Sequence, residues 1–157
     1  MAFELERELF DRGQAVSVLD GENLRLGLSR DLGFSESERS ESLRRAAELS
    51  RAFNDAGLLC VCALTAPEAA SRERMSELVG SDRFYVVHLS APLEVCRVRD
   101  TTGLYQRADS GELGNVAGVG LEYEVPVEPD LTLASHEMSP QECAAAIMEM
   151  LRECKVL

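Results

Sequence analysis

The stretch VSVLDGENLRLGLSRDLGFSESER, Val16 to Arg39, turns from an apolar strand into a charged loop at Asp20-Gly21. Its residues set the chemistry available there. Asp20 and Glu22 at a strand end offer oxygen ligands for magnesium or a base for a hydroxyl proton. Arg25, Arg39, Arg44 and Arg45 offer forked donors suited to phosphate or sulfate, and Phe34 offers a face on which a base can stack. On these residues alone the loop is either a site for a nucleotide-like anion or the solvated start of a charged helix.

Around this stretch strands and helices alternate. Ala2 to Arg12 has helical spacing and is followed by Gly13, and QAVSVLD, Gln14 to Asp20, is a short buried strand. Leu43, Ala46, Ala47, Leu49 and Phe53 predict a helix over Glu38 to Ala56, closed by Gly57. LLCVCAL, Leu58 to Leu64, and RFYVVHLS, Arg83 to Ser90, are further strands, separated by a helix over Ala66 to Val79 opened by Pro67 near its first turn. Pro92 opens a short helix ending near Asp100, and DLTLAS is a fourth strand. Ser139 caps a last helix with Glu142 at the capping-box position. Thr101 to Pro126, broken by five glycines, keeps no apolar period and is expected to be a lid-like loop. The expected fold is one α/β domain over residues 1–157, with three layers around a mainly parallel sheet. Ligands of such sheets sit at the carboxyl ends of the strands, where Asp20 lies.

Composition narrows the partners. A net charge of −12 opposes general binding to nucleic acid or anionic lipid, so an anionic ligand must be met by local cations. Lys155 is the only lysine; every other cationic side chain is arginine. The acidic N-terminus MAFELERELFDRG does not resemble a signal peptide, no apolar run is long enough to span a membrane, and a cytoplasmic location is expected. Five cysteines without a C-x-x-C pair argue against zinc, and Cys60 and Cys62 are expected to pack as small hydrophobes. His88 reads as a packed core residue and His136 as exposed. Ser29 and Ser35 read as turn or cap residues, and Arg72 and Arg74 as surface ion-pair partners. Met148, Met150 and Leu151 face the core, with a homodimer contact as the alternative.

The order VLDGENLRLGLSRDLGFSESER, LRRAAELSRAFNDAGLLCVCAL, PLEVCRVRDTTGLYQRA, GEL, EYEVP and PDLTL resembles the adenylylsulfate kinase family over nearly the whole chain. The resemblance implies a P-loop kinase fold and transfer of the γ-phosphate of ATP to the 3'-hydroxyl of adenosine 5'-phosphosulfate (APS), with Mg2+. It places Asp20 beside the reacting hydroxyl and the metal. Asn23, Arg25, Phe34, Arg39 and Arg44 fall on the APS side, and Arg99 and Asp100 at the root of the lid near ATP. It also implies that the family's first strand and its G-x-x-G-x-G-K-[ST] loop precede Met1, so both are expected to be absent from this chain. An unfilled central sheet position would leave backbone groups unpaired at about 1–3 kcal/mol each, and the monomer is expected to be marginal or aggregation-prone.

Several ligand-side positions depart from the family pattern: Ser42 for asparagine, Ala63 and Ala66 for serines, Thr102, Gln106 and Gly114 for lysines, Val116 for a phenylalanine, and Gly120-Leu121 for an acid-serine pair. Two readings remain. The chain is the adenylylsulfate kinase of sulfate assimilation, or it is a non-catalytic domain that binds APS or its 3'-phosphorylated product and regulates an associated ATP sulfurylase.

Overall fold

The computed structural model describes all of residues 1–157. Four helices frame the strands. On one face α1 (Ala2–Asp11) and α7 (Pro140–Glu153) pack together; on the other lie α3 (Glu36–Asp55) and α4 (Ala69–Val79). The strands are β1 (Val16–Asp20), β2 (Leu59–Ala63), β3 (Val87–Leu89) and β6 (Leu131–Leu133). Short elements complete the chain: α2 (Gly21–Leu26), α5 (Leu93–Arg99), α6 (Leu104–Asp109), β4 (Val116–Ala117) and β5 (Gly120–Leu121).

Strand alternation decides which layer each side chain enters. Val16, Leu59, Val61, Val87 and Leu131 pack on a core of Leu5, Leu9, Leu133, Cys143, Ile147 and Met148 under α1 and α7. Leu19 and Cys60 face the other way, toward Ala46, Leu49 and Phe53 of α3. Ala46 and Ala47 are fully buried. Their small side chains let α3, whose remaining surface is mostly charged, lie close on its neighbours. Met148 and Met150 are core residues as expected.

Capping fixes the two longest helices. Ser35 with Glu38 and Ser139 with Glu142 each form a complete capping box. At the far end of α3, Gly57 takes φ 84°, a left-handed conformation that lets the chain reverse into β2.

The sheet is parallel but divided. β1 pairs β2 from Val16↔Leu59 to Asp20↔Ala63, and β3 pairs β6 from Val87↔Leu131 to Leu89↔Leu133. No ladder joins the two pairs. The amide of Leu59 donates to the Ala15 carbonyl, and alternation along the strand turns the amides of Cys60 and Cys62 away from β1. They face a cleft of about 1340 Å³ that β2 and β3 line together.

Four expectations need correction. The helix expected from Ala66 begins at Ala69, with Glu68 as its N-cap and Pro67 just before the cap. The strand in RFYVVHLS is only Val87–Leu89. Residues 101–126 are not structureless: they hold α6 and the paired β4 and β5. Gly21–Leu26, expected as loop, is the short helix α2, with Asp20 as its cap.

Candidate active site

Asp20 ends β1 in extended conformation (φ −97°, ψ 134°), and its Oδ1 accepts from the amides of Glu22 (3.0 Å) and Asn23 (3.2 Å). One carboxylate oxygen therefore starts α2, while Oδ2 has no protein partner. On the last turn of α2, Arg25 donates to the Gly33 carbonyl (2.9 Å) and lies 4.0 Å over the ring of Phe34. Burial lowers the Arg25 pKa, with the nearby charge of Arg39 adding to the effect. Phe34 keeps 41% of its surface exposed, which leaves it free to stack.

Asp20, Glu22, Arg25, Phe34, Arg39 and Ser42 line one pocket of about 350 Å³, a size suited to a small ligand. Thr102, Asn115 and Val116 of the 101–126 segment complete its wall. Behind it, Ser42 Oγ donates to the fully buried Ser29 Oγ (2.9 Å). Arg45 clamps the loop between α2 and α3 through a two-pronged pair with Asp31 (2.6 and 2.9 Å) and a bond to the Leu28 carbonyl (2.8 Å). Its bond holds Asp31 below the usual carboxylate range.

Arg39 is 7% exposed. Its Nε and Nη2 both donate to Glu68 Oε1, at 3.0 and 2.6 Å, and its Nη1 donates to the Asn115 carbonyl at 3.2 Å. Sequence reasoning missed Glu68: it stands 29 residues away, and nothing in the pattern links the two.

The other expected site residues lie elsewhere. Asn23 is exposed, and its side chain does not line the pocket. Arg44 is on the outer face of α3, paired with Glu41 (2.7 Å) and Glu48 (3.7 Å). Arg99 donates to the Ser135 carbonyl (2.9 Å). Asp100 accepts from the amides of Tyr105 and Thr102 (both 2.9 Å) and from Thr102 Oγ1 (2.8 Å), which holds it below the usual range and fixes the start of α6. The pocket thus gathers Asp20, Arg25, Phe34 and Arg39, and not Asn23, Arg44, Arg99 or Asp100.

No three His, Cys, Asp or Glu side chains form a metal cage. Asp20 Oδ2 and the neighbouring Glu22 do match what Mg2+ takes from a protein when phosphates and water supply its remaining ligands.

The cleft between β2 and β3 differs in character, being lined chiefly by apolar side chains. Cys60 is half-buried and packs as a small hydrophobe against the α3 side, as expected, whereas Cys62 is exposed on the cleft. Their sulfurs are 3.9 Å apart and both meet Ser50 Oγ. The bond from Cys62, helped by Ser50 against the opposing effect of burial, lowers the Cys60 pKa to about 7. The same pairing pushes the Cys62 thiol up. His88 also borders the cleft, half-buried and stacked on Tyr123 at 5.9 Å. His136 is half-buried too, bonded to the Ser90 carbonyl (3.1 Å). Arg72 and Arg74 make no ion pair: Arg72 donates to the carbonyls of Ala66, Pro67 and Glu124, and Arg74 to Ser40 Oγ.

The family model for adenylylsulphate kinase matches residues 1–134. The chain belongs to this family. The bifunctional enzyme CysN/CysC of Rhodopirellula baltica is 51% identical over 97% of this chain, which spans 24% of that relative's length. An adenylyl-sulfate kinase of Bacteroides thetaiotaomicron is 41% identical over 96% of the chain and 75% of its own length. The solved structure of the Mycobacterium tuberculosis APS kinase CysC in complex with AMPPNP and APS superposes with a TM-score of 0.90 at 36% identity, over 96% of this chain and 88% of that one. The fold is accordingly that of the P-loop kinases, and no helix is long and apolar enough to cross a membrane.

Proposed function

We propose that the pocket at the end of β1 holds APS and presents its 3'-hydroxyl for phosphorylation by ATP. The observation that carries this reading is the convergence of Asp20, Arg25, Phe34 and Arg39 on one pocket at the carboxyl end of a parallel strand. Phe34 supplies a stacking face for adenine, and Arg25 beneath it supplies positive charge. Asp20 Oδ2 is the acceptor for the hydroxyl proton, held in place because Oδ1 is fixed by two amides. Mg2+, held through Asp20 and Glu22 with the nucleotide phosphates, would neutralise charge on the transferring group. The 101–126 segment, which supplies one wall of the pocket, acts as a lid over the single domain.

Asn23 supports the cap, Arg44 steers anions from outside the pocket, and Arg99 with Asp100 anchors the lid root. The protein works in the cytoplasm.

A second reading is favoured by a specific observation. Several positions that depart from the family pattern line the pocket itself: Ser42, Ala63, Thr102 and Val116 stand where the pattern has asparagine, serine, lysine and phenylalanine. On that reading the chain binds APS or its 3'-phosphorylated product without transfer and acts with an ATP sulfurylase partner. Incubation with ATP labelled at the γ-phosphate, Mg2+ and APS separates the two. Label on the 3'-oxygen of APS supports the kinase. Binding of APS without label selects the regulatory module, and failure of folded protein to bind either nucleotide contradicts both.

A further inference from the structure

Arg39 is the only charged side chain among the buried residues, and it lines the proposed APS pocket. A guanidinium has five N–H donors. Two are spent on Glu68 Oε1 and a third on the Asn115 carbonyl, with the Phe34 carbonyl at 3.5 Å from the same Nη1. The Nε/Nη2 edge, one of the two through which arginine grips a phosphate or sulfate, is therefore already occupied. Glu68 takes this edge in an unusual way: it uses Oε1 alone, while Oε2 is buried without any hydrogen-bond partner. The exposed Arg45–Asp31 pair, in contrast, engages both carboxylate oxygens. Glu68 reaches Arg39 from the N-cap of α4, next to Pro67 of the pocket wall. The contact is thus made between two elements and leaves one carboxylate oxygen unsatisfied, so an incoming anion has a half-made pair to displace.

We propose that Glu68 is a tethered counter-ion of this pocket: it occupies Arg39 when no ligand is bound, and the anionic end of the acceptor nucleotide binds by displacing it. Glu68 then sets both affinity and selectivity, because an anion that cannot outcompete the carboxylate gains nothing from Arg39. The inference rests on the reading of the pocket as the APS site.

Calorimetric titration of APS into wild-type protein and into Glu68→Gln tests it, since the amide keeps the shape and removes the competing charge. The expected result is tighter binding by the variant, by about 5- to 150-fold, the range of an ordinary coupling between two sites. A purely structural Glu68 would give weaker binding on substitution. Unchanged or weaker binding by folded Glu68→Gln overturns the inference and leaves the pocket reading intact. Absence of APS binding by either protein overturns both. If the variant does not fold, the carboxyl 13C resonance of Glu68 in the wild type decides: it moves on saturation with APS if the pair is broken, and stays in place if the inference is wrong.

Discussion

The pocket at the end of β1 and the cleft between β2 and β3 lie side by side, share Asp20 and Leu64 among their linings, and are built in opposite ways. Around the pocket, local hydrogen bonds fix the backbone and the buried cation. Asp20 caps α2, Ser35 and Glu38 close the start of α3, Arg45 ties the intervening loop, and Arg39 is matched by Glu68. In the cleft the edges of two parallel pairs stand open, and helices from both layers contribute apolar side chains to it. Local hydrogen bonding shapes the first region and sets its backbone before a ligand arrives. The second lacks the cross-strand bonds that hold a parallel sheet together.

This contrast can be broken most forcefully at Arg39. Replacing it with alanine strands Glu68 in a mostly buried position, and unfolding in urea should show a loss of about 3–5 kcal/mol. A loss below about 1 kcal/mol would place Arg39 with ordinary exposed ion pairs instead. Asp20→Ala removes the cap of α2 and should cost about 0.5–2 kcal/mol in the same measurement. It should also abolish any transfer to APS, an effect that loss of a cap alone does not explain.

A smaller effect concerns acid. The bonds from Arg44 and then Arg45 lower Glu41 from 4.5 to about 2. Because the folded value is the depressed one, this contribution to stability is present above pH 4.5 and disappears as the pH falls toward 2. Chemical unfolding of wild type and Glu41→Gln across that range should give curves that converge at the acid end; a constant offset would contradict the assignment. On the cleft side, the rate of alkylation of Cys60 by iodoacetamide should rise through an inflection near pH 7. Cys62→Ala should shift that inflection upward, since the lowering bond is then lost.

What was legible in the sequence follows the same division. The starts of α3 and α7 are written in Ser35–Glu38 and Ser139–Glu142, and the strand cores in runs such as LLCVCAL. The fold class and the pocket residues Asp20, Arg25, Phe34 and Arg39 were readable because motif and strand end coincide. Two kinds of feature were not. Short elements such as α2 and α6 carry too few residues for a period, and the glycines around β4 and β5 mask their pairing. Long-range pairings leave no local trace: Glu68 meets Arg39 across 29 residues, and Cys62 is exposed because of how β2 sits, although its sequence setting is apolar. Arg44 illustrates the converse, a residue of the right type on the wrong face of its helix.

The central claim is that the pocket made by Asp20, Arg25, Phe34 and Arg39 is an APS site. Titration of APS into the folded wild-type chain, followed by calorimetry and repeated with Phe34→Ala, tests it most directly. Saturable binding at one site per chain is expected, with marked weakening when the stacking ring is removed; no heat of binding, or equal affinity in the two proteins, would contradict an APS site here.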